Sequence, residues 1–78
     1  MFYDLPDAAR AALRLEDEGV HMLGQLVQMS AEDVRRYSFV DDRAFSAMEG
    51  RLAEIDLCFG MRYPAWNRRM RNAFAMTL

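Results

Sequence analysis

Between Pro6 and Gly19 Ala8, Ala12 and Leu15 fall on one side of a helical wheel as an apolar stripe, and Leu13 lies off it. Pro6 suits a first helical turn, the alanine-rich stretch from Asp7 to Glu18 favours helix, and Gly19 is a natural C-terminal cap. The spacing predicts a first helix there. Leu23, Leu26 and Val27 give a second helix its short apolar face. Ser30, followed by Ala31, Glu32 and Asp33, has the form of an N-cap with acids in the first turn, so a third helix should run toward Tyr37. Asp41 or Asp42 can cap a fourth, whose apolar residues Phe45, Met48, Leu52 and Ile55 recur as one buried stripe requires; Gly50 weakens it only modestly. Leu57-Cys58-Phe59 then reads as an extended segment with Leu57 and Phe59 turned inward. No sustained strand alternation, internal repeat, low-complexity tract or linker interrupts this order.

The order predicts an all-α fold, a compact bundle of four short helices. Leu15, Leu23, Leu26, Val34, Phe45, Met48, Leu52, Leu57 and Phe59 should lie inside it. After Trp66 the pattern changes. Trp66, Met70, Ala73, Phe74 and Thr77 are spaced for one side of a helix while Arg68, Arg71 and Asn72 face away, which fits an extra amphipathic helix; a frayed basic tail is the alternative. The organisation expected is a helical domain over residues 1–66 and a basic C-terminal extension over 67–78.

Length limits the core. A chain of 78 residues buries only about 60 to 65% of its unfolded surface, too little for a deep, self-contained active site. Apolar residues make up 53% and charged residues 28%, the balance of a chain that folds. The lone Cys58 rules out an internal disulfide and gives no sign of an oxidising compartment. Met1 to Pro6 lacks the basic and apolar regions of a leader, and no apolar run approaches the ~20 residues that span a bilayer, so a cytoplasmic location is expected.

A net charge of −2 conceals an asymmetry: residues 1–60 hold all 12 acids and six arginines, whereas residues 61–78 hold four arginines and no acid. There is no lysine, so every formal cation is a guanidinium, suited to phosphate or carboxylate but equally a product of compositional bias. Candidate chemistry is sparse. His21 is the sole histidine, with no cysteine or second histidine at metal-ligand spacing, which favours a structural or capping role. No Gly-rich phosphate loop, Ser-His-Asp set or Cys-His pair can be assembled, and the acids Asp41-Asp42 and Glu16-Asp17-Glu18 read as exposed caps before general acids. Neither catalysis, a cofactor, a small-molecule substrate nor a membrane partner is expected.

Two blocks carry a resemblance. Gly19-Val20-His21-Met22-Leu23-Gly24-Gln25-Leu26-Val27-Gln28 and Leu57-Cys58-Phe59-Gly60-Met61-Arg62, with Trp66 four residues on, resemble the C-terminal domain of the bacterial RNA polymerase alpha subunit. Ser30, Phe39-Val40, Phe45, Met48 and Leu52 fall at matching spacing between them, and the likeness covers roughly residues 5 to 66. The resemblance implies four short helices after an irregular N-terminal segment, the last two forming a helix-hairpin-helix-like unit, and no catalytic activity. It also implies a grip on the minor groove of A·T-rich promoter DNA and contacts with transcription proteins such as polymerase subunits or regulators.

That grip, as the resemblance implies it, uses an Arg and an Asn one turn apart on the first helix and a Gly-Lys-Lys-Ser-like turn before the fourth. Arg10 stands at the Arg position and Arg43 at the second basic position of the turn. The Asn is replaced by Leu13, the Gly by Asp41, the first Lys by Asp42, the Ser by Ala44 and a helix-four acid by Ala47. Two carboxylates at a helix N-terminus satisfy its N–H groups and repel phosphate. Arg14, beside Leu13, could restore one cationic contact. Arg10, Arg14 and Arg43 are therefore the candidate nucleic-acid contacts, and Leu13, Asp41, Asp42, Arg68, Arg69 and Arg71 the candidate partner contacts. The expected function is transcription-associated recognition by DNA contact, protein contact or both; the competing expectation is a pure protein-interaction module.

Overall fold

In a computed structural model, described here for residues 1–62 and 74–78, the chain forms four helices: α1 (Pro6–Asp17), α2 (Leu23–Gln28), α3 (Ala31–Arg35) and α4 (Asp42–Ala53). This is the all-helical bundle expected, with α1 packed against α4. Pro6 opens α1, and at its other end Gly19 takes a left-handed φ of 91°. Gly19 N–H then donates to Glu16 O at 3.0 Å and Val20 N–H to Leu15 O at 2.9 Å. These paired bonds close the helix as a glycine-based C-terminal motif does, with Leu15 and Val20 both buried beside it. The end of α4 repeats the device without glycine: Asp56 adopts φ 60°, and Asp56 and Leu57 donate back to Ala53 and Leu52.

Caps set the starts. Ser30 accepts from Asp33 N–H at 3.0 Å and Asp41 from Ala44 N–H at 2.8 Å, which fixes Asp41, rather than Asp42, as the cap of α4. The α2 entrance has no Ser, Thr, Asp or Asn, and Gln25 substitutes by reaching back to accept from His21 and Met22 N–H at 2.8 and 2.9 Å. The third helix stops at Arg35, two residues short of Tyr37.

One cluster forms the core. Leu15, Leu23, Leu26, Val34, Phe45, Met48, Leu52 and Leu57 are buried as the stripes require, together with Ala8, Ala11 and Ala12. Phe59 departs from expectation. It is half-buried and stacks on Phe45 at 5.1 Å between ring centroids, sealing the core edge rather than filling the centre. Just beyond it, Gly60 and Met61 donate to Met29 O and Val27 O at 2.8 and 2.7 Å. The two sequence blocks separated by α3 and α4 are thereby joined in space.

Both outer segments also enter the core. Phe2 is fully buried, Tyr3 donates to Glu16 at 2.8 Å, and half-buried Arg51 holds Asp4 at 2.7 Å and Glu54 at 3.2 Å. The hydrogen bond to Glu16, then burial, then the Glu16 charge raise the Tyr3 phenol above its ordinary pKa of 10.0. At the other end Phe74 and Leu78 are buried, and Thr77 forms an antiparallel bridge with Met22. A helix carried through Thr77 is therefore corrected: Leu23 N–H donates to Met76 O and Leu78 N–H to His21 O, bonds that an extended strap makes and a helix would not. Phe74 is helical, as expected, and the rest of the expected C-terminal helix, from Trp66 to Ala73, lies outside the described residues.

Candidate functional site

The outward side of α1 faces the turn that leads into α4, and a surface groove of about 390 Å³ lies between them. Asp7, Arg10, Leu13, Arg14, Phe39, Asp41 and Ala44 line it. The positions come from helical geometry: Arg10, Leu13 and Arg14 recur three and four apart, so they share a face opposite the buried Ala8, Ala11, Ala12 and Leu15. Leu13 remains 53% exposed, as expected for a residue off the buried stripe.

Charge in the groove is unevenly engaged. Arg10 pairs with Asp7 at 2.5 Å across one helical turn, both at the surface. Asp41 spends one oxygen on the α4 cap. The Arg14 guanidinium lies over the Phe39 ring, 5.2 Å from its centroid, and Phe39 is stacked in turn on Tyr37 at 5.0 Å. Such a cation over a ring face is attracted by the ring quadrupole while its N–H edge stays available.

Of the candidate residues, the groove gathers Arg10, Leu13, Arg14 and Asp41 and leaves Asp42 and Arg43 off its lining. Asp42 pairs with Arg35, whose guanidinium also lies 4.7 Å from the Phe45 ring centroid. Its carboxylate is thus already matched by a cation, although no lysine stands nearby. Arg43 is exposed on the first turn of α4 and forms no ion pair with the described residues. Arg68, Arg69 and Arg71 lie outside the described residues. Sequence reasoning passed over Phe39 and Asp7. The Asp7–Arg10 spacing of three was the available signal for one; Phe39, read only as the lead-in to a turn, offered none.

The second surface concavity, beside Ala31, Glu32, Arg35 and Arg36, carries arginines that are already paired, Arg36 with Glu32 and Asp33 and Arg35 with Asp42. Among the described residues no group of three or more His, Cys, Asp or Glu is placed to hold a metal ion, and no helix is long and apolar enough to cross a membrane. His21 is exposed and takes part through its backbone, donating to Gln25 and accepting from Leu78.

What this geometry defines is a small all-helical domain with an arginine-bearing groove between two packed helices. The chain is similar to the DNA-directed RNA polymerase subunit alpha of Syntrophus aciditrophicus (strain SB), with 31% identity over 70 residues that cover 87% of this chain and 20% of that protein. It therefore spans about a fifth of its relative's length, and the likeness supports a loose relationship to polymerase alpha subunits. No family model matches the chain, and no solved structure matches it.

Proposed function

We propose that this chain is a non-catalytic, transcription-associated recognition module related to the C-terminal domain of the RNA polymerase alpha subunit, working in the cytoplasm through weak contact with A·T-rich DNA, contact with transcription proteins, or both. The observation that carries the reading is the convergence of Arg10, Leu13, Arg14 and Asp41 on one groove. Arg10 and Asp41 come from the two elements that form the DNA grip in the resembled family. Likeness to a polymerase alpha subunit over most of the chain supports the same reading.

The test is binding of the purified chain to an A·T-rich duplex and to purified RNA polymerase across a salt series. Each neutralised phosphate contributes a log–log slope of about 0.9, and with few arginines available the duplex should bind no tighter than about 10⁻⁵ M near physiological salt. Changing Asp41 to Gly together with Asp42 to Lys should tighten duplex binding, and Arg10→Ala should remove it. Absence of binding to duplex and polymerase alike would end the reading.

A pure protein-interaction module is the second reading. It is favoured by exposed Leu13 where the family has Asn, by the Asp41 cap and by the pairing of Asp42 with Arg35. No gain of duplex binding in the Asp41/Asp42 double variant would select it.

A further inference from the structure

We infer that the groove between α1 and the α4 cap receives a peptide segment presenting one carboxylate beside a bulky apolar side chain. This rests on the recognition-module reading and names the partner class for its groove. A volume of about 390 Å³ lies within the ~300–1,000 Å³ of formed binding sites. Leu13 and Phe39 give it an apolar wall, and Leu13 is 53% exposed with nothing among the described residues covering it. Among its ionisable groups, Asp7 and Arg10 neutralise each other, while Arg14 lies over the Phe39 ring and has no carboxylate partner among the described residues. A guanidinium in a cation–π contact spends none of its N–H donors on an acceptor, so a carboxylate can still take them, in bidentate geometry. The second oxygen of Asp41 has no hydrogen-bond partner among the described residues and can accept a peptide N–H.

Charge spacing separates a peptide from a nucleic acid. Each strand of a duplex brings a phosphate every ~3.4 Å of helix axis, so a run of phosphates laid along the groove to reach Arg14 would also meet the unpaired carboxylate charge of Asp41. A peptide can place one carboxylate on Arg14 and lay an apolar side chain on Leu13. The surplus of acids over arginines in residues 1–60 disfavours a polyacidic segment for the same reason.

The probe is a fluorescein-labelled, end-blocked short peptide carrying one glutamate next to a leucine–phenylalanine pair, titrated with the full chain. Arg14→Gln in the chain and Glu→Gln in the peptide should each weaken binding about tenfold, the size of a charge-assisted hydrogen bond, and together no more than either alone. Leu13→Glu should also weaken it, while Arg62→Gln, the same charge change at an exposed site off the groove, should not. Unchanged thermal melts would show that all variants fold. Equal losses for Arg14→Gln and Arg62→Gln, or no binding at millimolar peptide, overturn the inference. If the peptide fails while A·T-rich duplex or polymerase still binds, the peptide inference falls and the recognition-module reading stands; failure of all three ends both.

Discussion

The inner and outer faces of α1 are built from the same short stretch of sequence and obey different rules. Inward, Ala8, Ala11, Ala12 and Leu15 are fully buried in one cluster with Phe45, Met48 and Leu52 of α4. Outward, Arg10, Leu13 and Arg14 line an open groove. The inner face is governed by apolarity and volume, because close-packed side chains leave no room for another solution. The outer face is governed by which charges are already engaged. Arg10 and Arg14 differ little in sequence, yet one is paired with Asp7 and the other is stacked on an aromatic ring. What the two faces teach is that periodicity locates a surface, while pairing decides what the surface can bind.

Substitutions can break that division, beginning with the most costly. Phe74→Ala should lower stability by about 3–5 kcal/mol, because a fully packed ring from the C-terminal strap would leave a cavity in a domain whose total stability is expected to be roughly 5–15 kcal/mol. Chemical denaturation measures it, and a near-neutral result would mean that the strap does not belong to the inner layer. Leu52→Ala should cost about 2–5 kcal/mol with binding by the folded fraction unchanged; loss of binding without loss of stability would contradict the separation of faces. Asp41→Ala removes the α4 cap at about 0.5–2 kcal/mol, and as the one change that touches both faces it should also alter peptide or duplex affinity. Leu13→Ser should leave stability within about 0.5 kcal/mol while reducing peptide affinity. A larger stability loss would place Leu13 in the core.

The smallest effect expected is a pH dependence. The Tyr3 pKa is raised chiefly by its hydrogen bond to Glu16, so the folded state favours the protonated phenol. Its contribution is fully present below the ordinary tyrosine value and is lost as pH rises through the higher folded one. Melting temperature followed upward from pH 9 should therefore show a slight alkaline loss that Tyr3→Phe abolishes. The same loss in the variant would assign it to another group.

Most of the inner face was legible because every buried stripe recurs at helical spacing and three starts carry an ordinary signal: Pro6, Ser30 and Asp41. The α2 entrance was not, since its cap is Gln25 acting from within the helix. Nor was the strap at residues 76–78, where Thr77 fits a helical wheel with Phe74 but pairs with Met22 from a distant part of the chain. A long-range backbone pairing leaves no local pattern. In the groove, Arg10, Leu13, Arg14 and Asp41 were singled out through family resemblance, and their neighbour Phe39 emerges only when the turn before α4 folds back against α1.

That strap also has a kinetic consequence. Phe2 N–H donates to the main-chain oxygen of Leu78 at 3.0 Å, and Leu78 in turn donates to His21 O. The contact closes a loop of almost the whole described chain, in a helical fold whose remaining hydrogen bonds are largely local. Loop closure must be met before such a contact contributes, so this bundle should fold more slowly than its helix content suggests. Joining Leu78 to Met1 through a short glycine–serine linker and opening the chain at the exposed Ser38 turn would convert its longest-range contact into a local one. Stopped-flow refolding should then speed up, and an unchanged rate would mean that the ends meet only after the rate-limiting step.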